Sequence, residues 1–389
     1  MLIGQFPTAQ FQKIETPFYY YDMDILRNTL EEIKRRAGDA YMQVHYAVKA
    51  CATPEIMREI AAHGFGADCV NGEEIKAALA AGFPAHKIVF AGVGKTDREI
   101  RLALEHNIFS FNVESLPELE VINELASEMG KKAPVCLRIN PNVNAHTHQY
   151  ITTGLNENKF GINMEEAVAV ANRCQQLPNI HLLGLHFHIG SQITDMEPFQ
   201  TLCVRVNQIM DEMEKAGHKL LHINVGGGLG VNYEHPNHLS IPDFEHYFDV
   251  FRHGLNLREG QTLHFELGRS MVAQCGNLIT RVLYVKQGTH KKFIIVDAGM
   301  SDLIRPALYQ AFHRIENLTS DREEEIYDVV GPICESSDVF VKDFAVSGAQ
   351  RGDLLALRSA GAYGEIRASG YNLRRLPGHI TSDDIKKIE

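Results

Sequence analysis

Tyr41-Met42-Gln43-Val44-His45-Tyr46-Ala47-Val48-Lys49-Ala50-Cys51-Ala52-Thr53-Pro54 alternates like a strand up to a lysine, then turns and opens a helix. A lysine closing a buried strand is chemically unusual, because an ammonium without a partner is costly to bury. Desolvation lowers its pKa and frees the neutral amine, the form that attacks carbonyls. A Schiff base to an aldehyde cofactor is one chemistry that needs such a group at Lys49. The ordinary alternative is a strand-end lysine whose stem packs and whose head reaches water. Taken alone, the strand favours that alternative.

Outward from this stretch the same unit recurs. Short apolar runs at 44–49, 66–70, 88–91, 109–113, 135–139, 182–189, 221–225 and 263–266 read as strands. Amphipathic runs at 24–36, 54–63, 72–81, 96–105, 116–129, 164–174, 197–216 and 244–255 read as helices, and a long polar loop runs through Phe160. Eight strands alternating with helices predict an α/β fold, a TIM-like (β/α)8 barrel over residues 24–270. Beyond it the texture changes to short strand-like runs at 279–286, 292–296, 327–330, 338–340, 353–357 and 365–368. These predict an all-β sandwich or barrel over 271–389. The run Thr16-Pro17-Phe18-Tyr19-Tyr20-Tyr21 predicts that residues 1–23 cross into it.

Composition narrows the function classes. A length of 389 residues suits two or three domains, or one large barrel with an appendage. A net charge of −11 without a basic run argues against nucleic acid as the main partner. The seven cysteines lack CxxC pairs, so neither a disulfide framework nor a cysteine zinc site is expected. No apolar run has membrane-spanning length, and the N-terminus lacks a secretory pattern, so a cytoplasmic protein is expected.

Active groups of a βα barrel sit at the C-terminal strand ends. Lys49, Asp68, Asn112, Arg138 with Asn140, His186 with His188, Gly226-Gly227-Gly228 and Glu266 all fall there. The glycine run can bring backbone N–H groups close to a phosphate, or it is simply a tight turn. Ser191 can add a hydroxyl. His186 and His188 lie on one strand face; a metal would need a third ligand and would leave Lys49 and the glycines unused, so no metal is expected. Alternatively one imidazole stacks on a flat ring and the other packs inside. In Glu266-Leu267-Gly268-Arg269 the carboxylate can keep a pyridine nitrogen protonated while Arg269 grips a carboxylate, or the two pair with each other. Cys334-Glu335, Arg305-Pro306-Ala307-Leu308-Tyr309 and Gly361-Ala362-Tyr363-Gly364 add polar tips among small residues in the β-rich part.

Together these stretches resemble the fold-type III pyridoxal-phosphate-dependent decarboxylases that act on ornithine, arginine and diaminopimelate, most closely the diaminopimelate group. The likeness runs from Thr16-Pro17 to Tyr371-Asn372, with Leu267 standing where proline is usual. It implies pyridoxal 5'-phosphate on Lys49 and His188 stacked on its ring. It also implies phosphate contacts from Ser191 and Gly226 to Gly228, with Glu266 at the ring nitrogen and Asp68, Arg138, Gly268 and Arg269 beside the cofactor. It further implies a homodimer in which Cys334 and Glu335 come from the partner chain while Tyr363 completes the pocket. Catalysis then falls to Lys49, His188 and Cys334. Arg269, Arg305 and Tyr309 take the substrate's distal carboxylate, Glu335 its distal ammonium, and Tyr363 lines the same site. The activity implied is decarboxylation of meso-2,6-diaminopimelate to L-lysine, the last step of bacterial lysine biosynthesis. Ornithine, arginine or carboxynorspermidine as substrate, a racemase on the same scaffold, or a non-catalytic cofactor carrier are the alternatives.

Overall fold

The computed structural model describes residues 6–144 and 159–387 and divides into two compact units. Most of the long polar loop expected before Phe160 lies outside the described residues. One unit comprises Leu30–Gly230 and Asp243–Gly268; the other comprises the N-terminal residues to Thr29, Val231–Pro242 and Arg269 onward. Val231–Pro242, inside the span read from sequence as barrel, thus groups with the β-rich unit.

With Phe18–Tyr21 counted as β1, the first unit holds β2 (Met42–Ala47), β3 (Gly66–Cys69), β4 (Ile88–Phe90), β5 (Ser110–Val113), β6 (Ala133–Asn140), the two-residue β7 (Ile162–Asn163), β8 (Ile180–His186), β9 (His222–Asn224) and β10 (Thr262–Leu267). All pair in parallel, in the order β5-β4-β3-β2-β10-β9-β8-β6, and β5–β6 pairing closes the ring; β7 merely extends β6. This is the eight-stranded barrel the sequence predicts. The structure adds helix caps at two starts: Asn71 caps Gly72–Ala81, and Thr96 with Glu99 forms a capping box.

The barrel interior is polar near the N-terminal strand ends. The Lys87 carbonyl accepts from His45 Nδ1, so the other nitrogen of a neutral His45 must accept from His264 Nδ1 (2.9 Å). His264 Nε2 then accepts from Thr262 Oγ1 (2.8 Å), to which His222 donates (2.6 Å). Burial pushes His45 down and His264 well below the usual imidazole value, as this chain of neutral tautomers requires. Phe109 stacks on His45 and His264.

The second unit is one sheet of β11 (Gly276–Gln287), β12 (Lys292–Val296), β13 (Ile315–Asn317), β14 (Glu324–Val330), β15 (Val339–Ser347) and β16 (Leu354–Leu357), together with β1 and β17 (Gly378–Thr381). The tyrosine run does enter this sheet: β1 is antiparallel to β11 and parallel to β17. Phe11, Phe18, Tyr20, Ile279, Leu354 and Ile385 bury together behind it. The run 365–368 is not a strand; Glu365–Arg367 form a 3-10 turn in which Glu365 accepts from Tyr21 and pairs with His379. Strands β13 and β17 were not expected, being too short to show alternation. Among the described residues no helix is long and apolar enough to cross a membrane.

Candidate active site

Strand β2 ends at Ala47, two residues short of the expected lysine; Lys49 sits in the 3-10 turn Val48–Ala50. Gly268 permits that turn to pack on the end of β10, since a Cβ there would stand 3.1 Å from the Ala47 Cβ. Nor is the lysine buried: its side chain is 39% exposed. Its distinction is the neighbour, Asp68 Oδ2 at 3.6 Å, on a side chain only 1% exposed. Among the described residues, neither Asp68 oxygen has a hydrogen-bond donor. Burial, reinforced by the Glu266 charge, raises the Asp68 carboxyl above its usual range, with Lys49 opposing.

Glu266 is buried on β10, where strand register places it beside His45 of β2, and it is heavily solvated by protein. Oε1 accepts from Asn112 Nδ2 (3.0 Å) and Asn224 Nδ2 (2.8 Å); Oε2 accepts from His186 Nε2 (2.9 Å). Burial would raise this carboxyl, but His186 and then Lys49 outweigh it and hold Glu266 well below the usual carboxylate range. That favours its ionised form. The expectation of two imidazoles on one strand face is corrected: β8 ends at His186, which points to Glu266, and His188 lies beyond in the following loop. His188 Nδ1 accepts from the Gly227 N–H (3.3 Å). Burial, then Lys49 and Arg138, keep its ring neutral, the form suited to lie on another flat ring.

The glycine run has a backbone reason. A Cβ on Gly226 would meet the Phe187 carbonyl at 2.3 Å, and one on Gly227 the Glu266 carbonyl at 1.9 Å. Gly226 and Gly228 are also left-handed, with φ of +72° and +112°. Two of its N–H groups already serve side chains: Gly226 donates to Asn224 Oδ1 (2.9 Å) and Gly227 to His188. Ser191 follows β8 in the adjacent loop. Arg138, at the end of β6, donates to Glu114 Oε1 (2.6 Å) and lies over the Phe160 ring. Glu114, which the sequence reading missed, also ties down the amides of Gly161 and Gly92. Asn224 was missed as well, and Asn112 was noted only as a strand end; an asparagine inside an apolar strand is the signal that could have found both.

The β-rich unit gathers the remaining candidates. Arg269 donates to Tyr233 OH (2.7 Å) and lies over the Tyr363 ring. Arg305, 5% exposed, lies over the Tyr233 ring and meets His313 Nε2 at 2.7 Å; among the described residues it has no carboxylate partner. Burial would raise the Tyr233 phenol, but Arg269 and Arg305 outweigh it and lower it. Nothing in the local sequence marked Tyr233. Tyr309 accepts from Arg367 (2.7 Å). Cys334 is exposed, in a loop organised by Asp338, whose carboxylate takes the amides of Ile333 (2.7 Å) and Met300 (2.6 Å). Glu335 accepts from Tyr371 OH and Ser337 Oγ.

The barrel residues fit pyridoxal phosphate: an amine beside an under-solvated carboxylate, a neutral imidazole, and an anion with acceptor capacity to spare. Comparison with known proteins agrees. Residues 25–273 match the family model described as pyridoxal-dependent decarboxylase, pyridoxal binding domain. A diaminopimelate decarboxylase of Bacteroides thetaiotaomicron is 60% identical, the match covering 98% of this chain and 99% of that one. One of Zymomonas mobilis is 41% identical over 94% of this chain and 87% of its own. The crystal structure of diaminopimelate decarboxylase from Helicobacter pylori complexed with L-lysine superposes with a TM-score of 0.92 at 40% identity, covering 97% of this chain and 94% of that chain. The chain belongs to the pyridoxal-dependent decarboxylase family.

Proposed function

We propose that the protein is a pyridoxal 5'-phosphate-dependent diaminopimelate decarboxylase, forming L-lysine and carbon dioxide from meso-2,6-diaminopimelate. The observation that carries the substrate choice is the pair Arg269 and Arg305, the latter buried without a carboxylate of its own. A substrate ending in an ammonium alone would gain nothing from two guanidiniums, whereas one with a distal carboxylate supplies the missing partner. The names of the relatives support the same choice.

In this reading Lys49 would hold the cofactor's aldehyde carbon, Glu266 its ring nitrogen, His188 its ring face, and Ser191 with Gly226 to Gly228 its phosphate, while Asp68, Arg138, Gly268 and Tyr363 complete the surroundings. When bound, pyridoxal phosphate supplies the electron sink that makes loss of carbon dioxide from an amino-acid α-carbon feasible. Glu266, already ionised, holds the ring-nitrogen proton. Asp68 sets a buried carboxyl, raised above its usual range, near the Lys49 amine. Arg269, Arg305 and Tyr309 take the distal carboxylate and Glu335 the distal ammonium. Cys334 returns a proton to the α-carbon, with Lys49 as the second candidate. Cys334 and Glu335 come from the partner of a homodimer. None of the seven cysteines is joined in a disulfide, in keeping with a reducing, cytoplasmic setting. The test is carbon dioxide release with pyridoxal phosphate across diaminopimelate, ornithine, arginine, lysine and carboxynorspermidine. Turnover confined to diaminopimelate is expected; preference for a diamine precursor overturns the substrate, and α-carbon hydrogen exchange without carbon dioxide overturns the reaction.

A further inference from the structure

We propose that Asn224 is a positioning residue that couples the two ends of the cofactor site, fixing the acceptor face of Glu266 and the shape of the glycine turn through one side chain. The inference rests on the reading of the barrel as a pyridoxal phosphate site and goes beyond the residues expected to touch the cofactor.

Asn224 closes β9, 3% exposed, with both ends of its amide in use. Nδ2–H donates to Glu266 Oε1 at 2.8 Å and Oδ1 accepts from the Gly226 N–H at 2.9 Å. An ionised carboxylate offers about four lone-pair positions. Asn224 and Asn112 occupy both positions on Oε1, and His186 occupies one on Oε2. A single acceptor position is left over by these three bonds, on Oε2, which matches a single ring N–H. Asn224 therefore helps decide which oxygen can receive the ring nitrogen's proton. Its other end draws in the amide of Gly226, whose left-handed φ of +72° starts the turn. Gly227 and Gly228 follow from there, Gly227 held by His188. A shift of the Asn224 amide thus displaces the carboxylate and the turn together.

Asn112 is the internal control. It donates to the same Glu266 oxygen, but among the described residues its own Oδ1 has no partner and it has no bond to the glycine turn. Asn224→Ala, Asn112→Ala and Asn224→Asp are compared with the wild type as holoenzymes. The readouts are equilibrium dissociation of pyridoxal phosphate and the pH dependence of its visible absorbance, with apoprotein melting as the check on folding. Both alanine variants should shift the pH dependence, because each removes a donor from Glu266. Only Asn224→Ala should weaken cofactor binding, by about tenfold or more. Asn224→Asp keeps the acceptor for Gly226, so it should stay within about threefold of wild type in affinity while shifting the pH dependence most, two carboxylates then facing each other. Where Asn224→Ala does not fold, Asn224→Ser, with room for a water, carries the same expectation. Equal cofactor loss in the two alanine variants overturns the coupling, as does an Asn224→Asp that loses cofactor like Asn224→Ala. A wild-type chain that binds no pyridoxal phosphate overturns the site reading itself, and this role with it.

Discussion

Glu266→Gln keeps the side chain's shape and removes its charge, which separates its catalytic from its structural part. The glutamine carbonyl can still take Asn112 (3.0 Å) and Asn224 (2.8 Å). Its NH2 group then faces His186, which can accept by moving its proton to Nδ1, a nitrogen without a partner in the present arrangement. Three hydrogen bonds survive, as neutral rather than charge-assisted ones. That loses about 1 kcal/mol at each, offset by no longer burying a carboxylate. The melting temperature of the apoprotein should therefore move by no more than about 4 °C. Catalysis should respond quite differently. The leftover position on Oε2 becomes a donor, so a protonated ring nitrogen meets N–H instead of an anion. Breaking a buried charge pair in this way costs about 3–5 kcal/mol. At tenfold per 1.36 kcal/mol, kcat should fall by about two to four orders of magnitude. The assay is carbon dioxide release from diaminopimelate at saturating cofactor and substrate, run beside thermal melting. A kcat within about tenfold of wild type, or a collapse of the melting transition, refutes the reasoning.

Mixing Lys49→Ala with Cys334→Ala, each expected to be inactive, should restore about a quarter of wild-type activity by forming one intact site in half of the dimers; no restoration counts against shared sites. Arg305→Met should raise the KM for diaminopimelate about a hundredfold or more, since a desolvated guanidinium–carboxylate pair is worth at least 2–3 kcal/mol, and unchanged binding would remove its role. Tyr371→Phe takes one donor from Glu335 and should raise the same KM several-fold with kcat largely kept; a fall in kcat alone contradicts it. Stability should decline on acidification. His264 is held well below its ordinary value by burial, so the unfolded chain binds the extra proton and stability is lost as pH falls below about 6.5. That group's contribution should fall between pH 7 and pH 5, and denaturant titrations of His264→Gln should show a flatter slope over that window.

Much of the barrel was legible because its signal is local. Buried parallel strands are continuous apolar runs, and the helices between them repeat every three to four residues. The β-rich unit was read less completely: β13 and β17 span only three and four residues, too few for a period of two to show. Glu365–Arg367 looked like a strand because a short mixed run carries no periodicity to contradict it. In the barrel site, every expected residue turned up at or just beyond a strand end, but their partners did not announce themselves. Glu114, Asn224 and Tyr233 act through residues distant in sequence, and no local pattern encodes that.

By itself the sequence determined the succession of strands and helices, the polar residue at each strand end, and the likeness that names the family. These follow from alternation, helical periodicity and motif spacing, all of which act over a few residues. The tertiary structure decided what each group can do. It moved Lys49 off the strand into a turn and out of burial, and gave it a carboxylate neighbour instead. It separated His186 from His188, sending one to Glu266 and the other to the glycine turn. It also favoured the ionised form of Glu266, because three donors from three different strands converge on one carboxylate. Charge state depends on through-space neighbours and burial, and only the closed barrel brings those together.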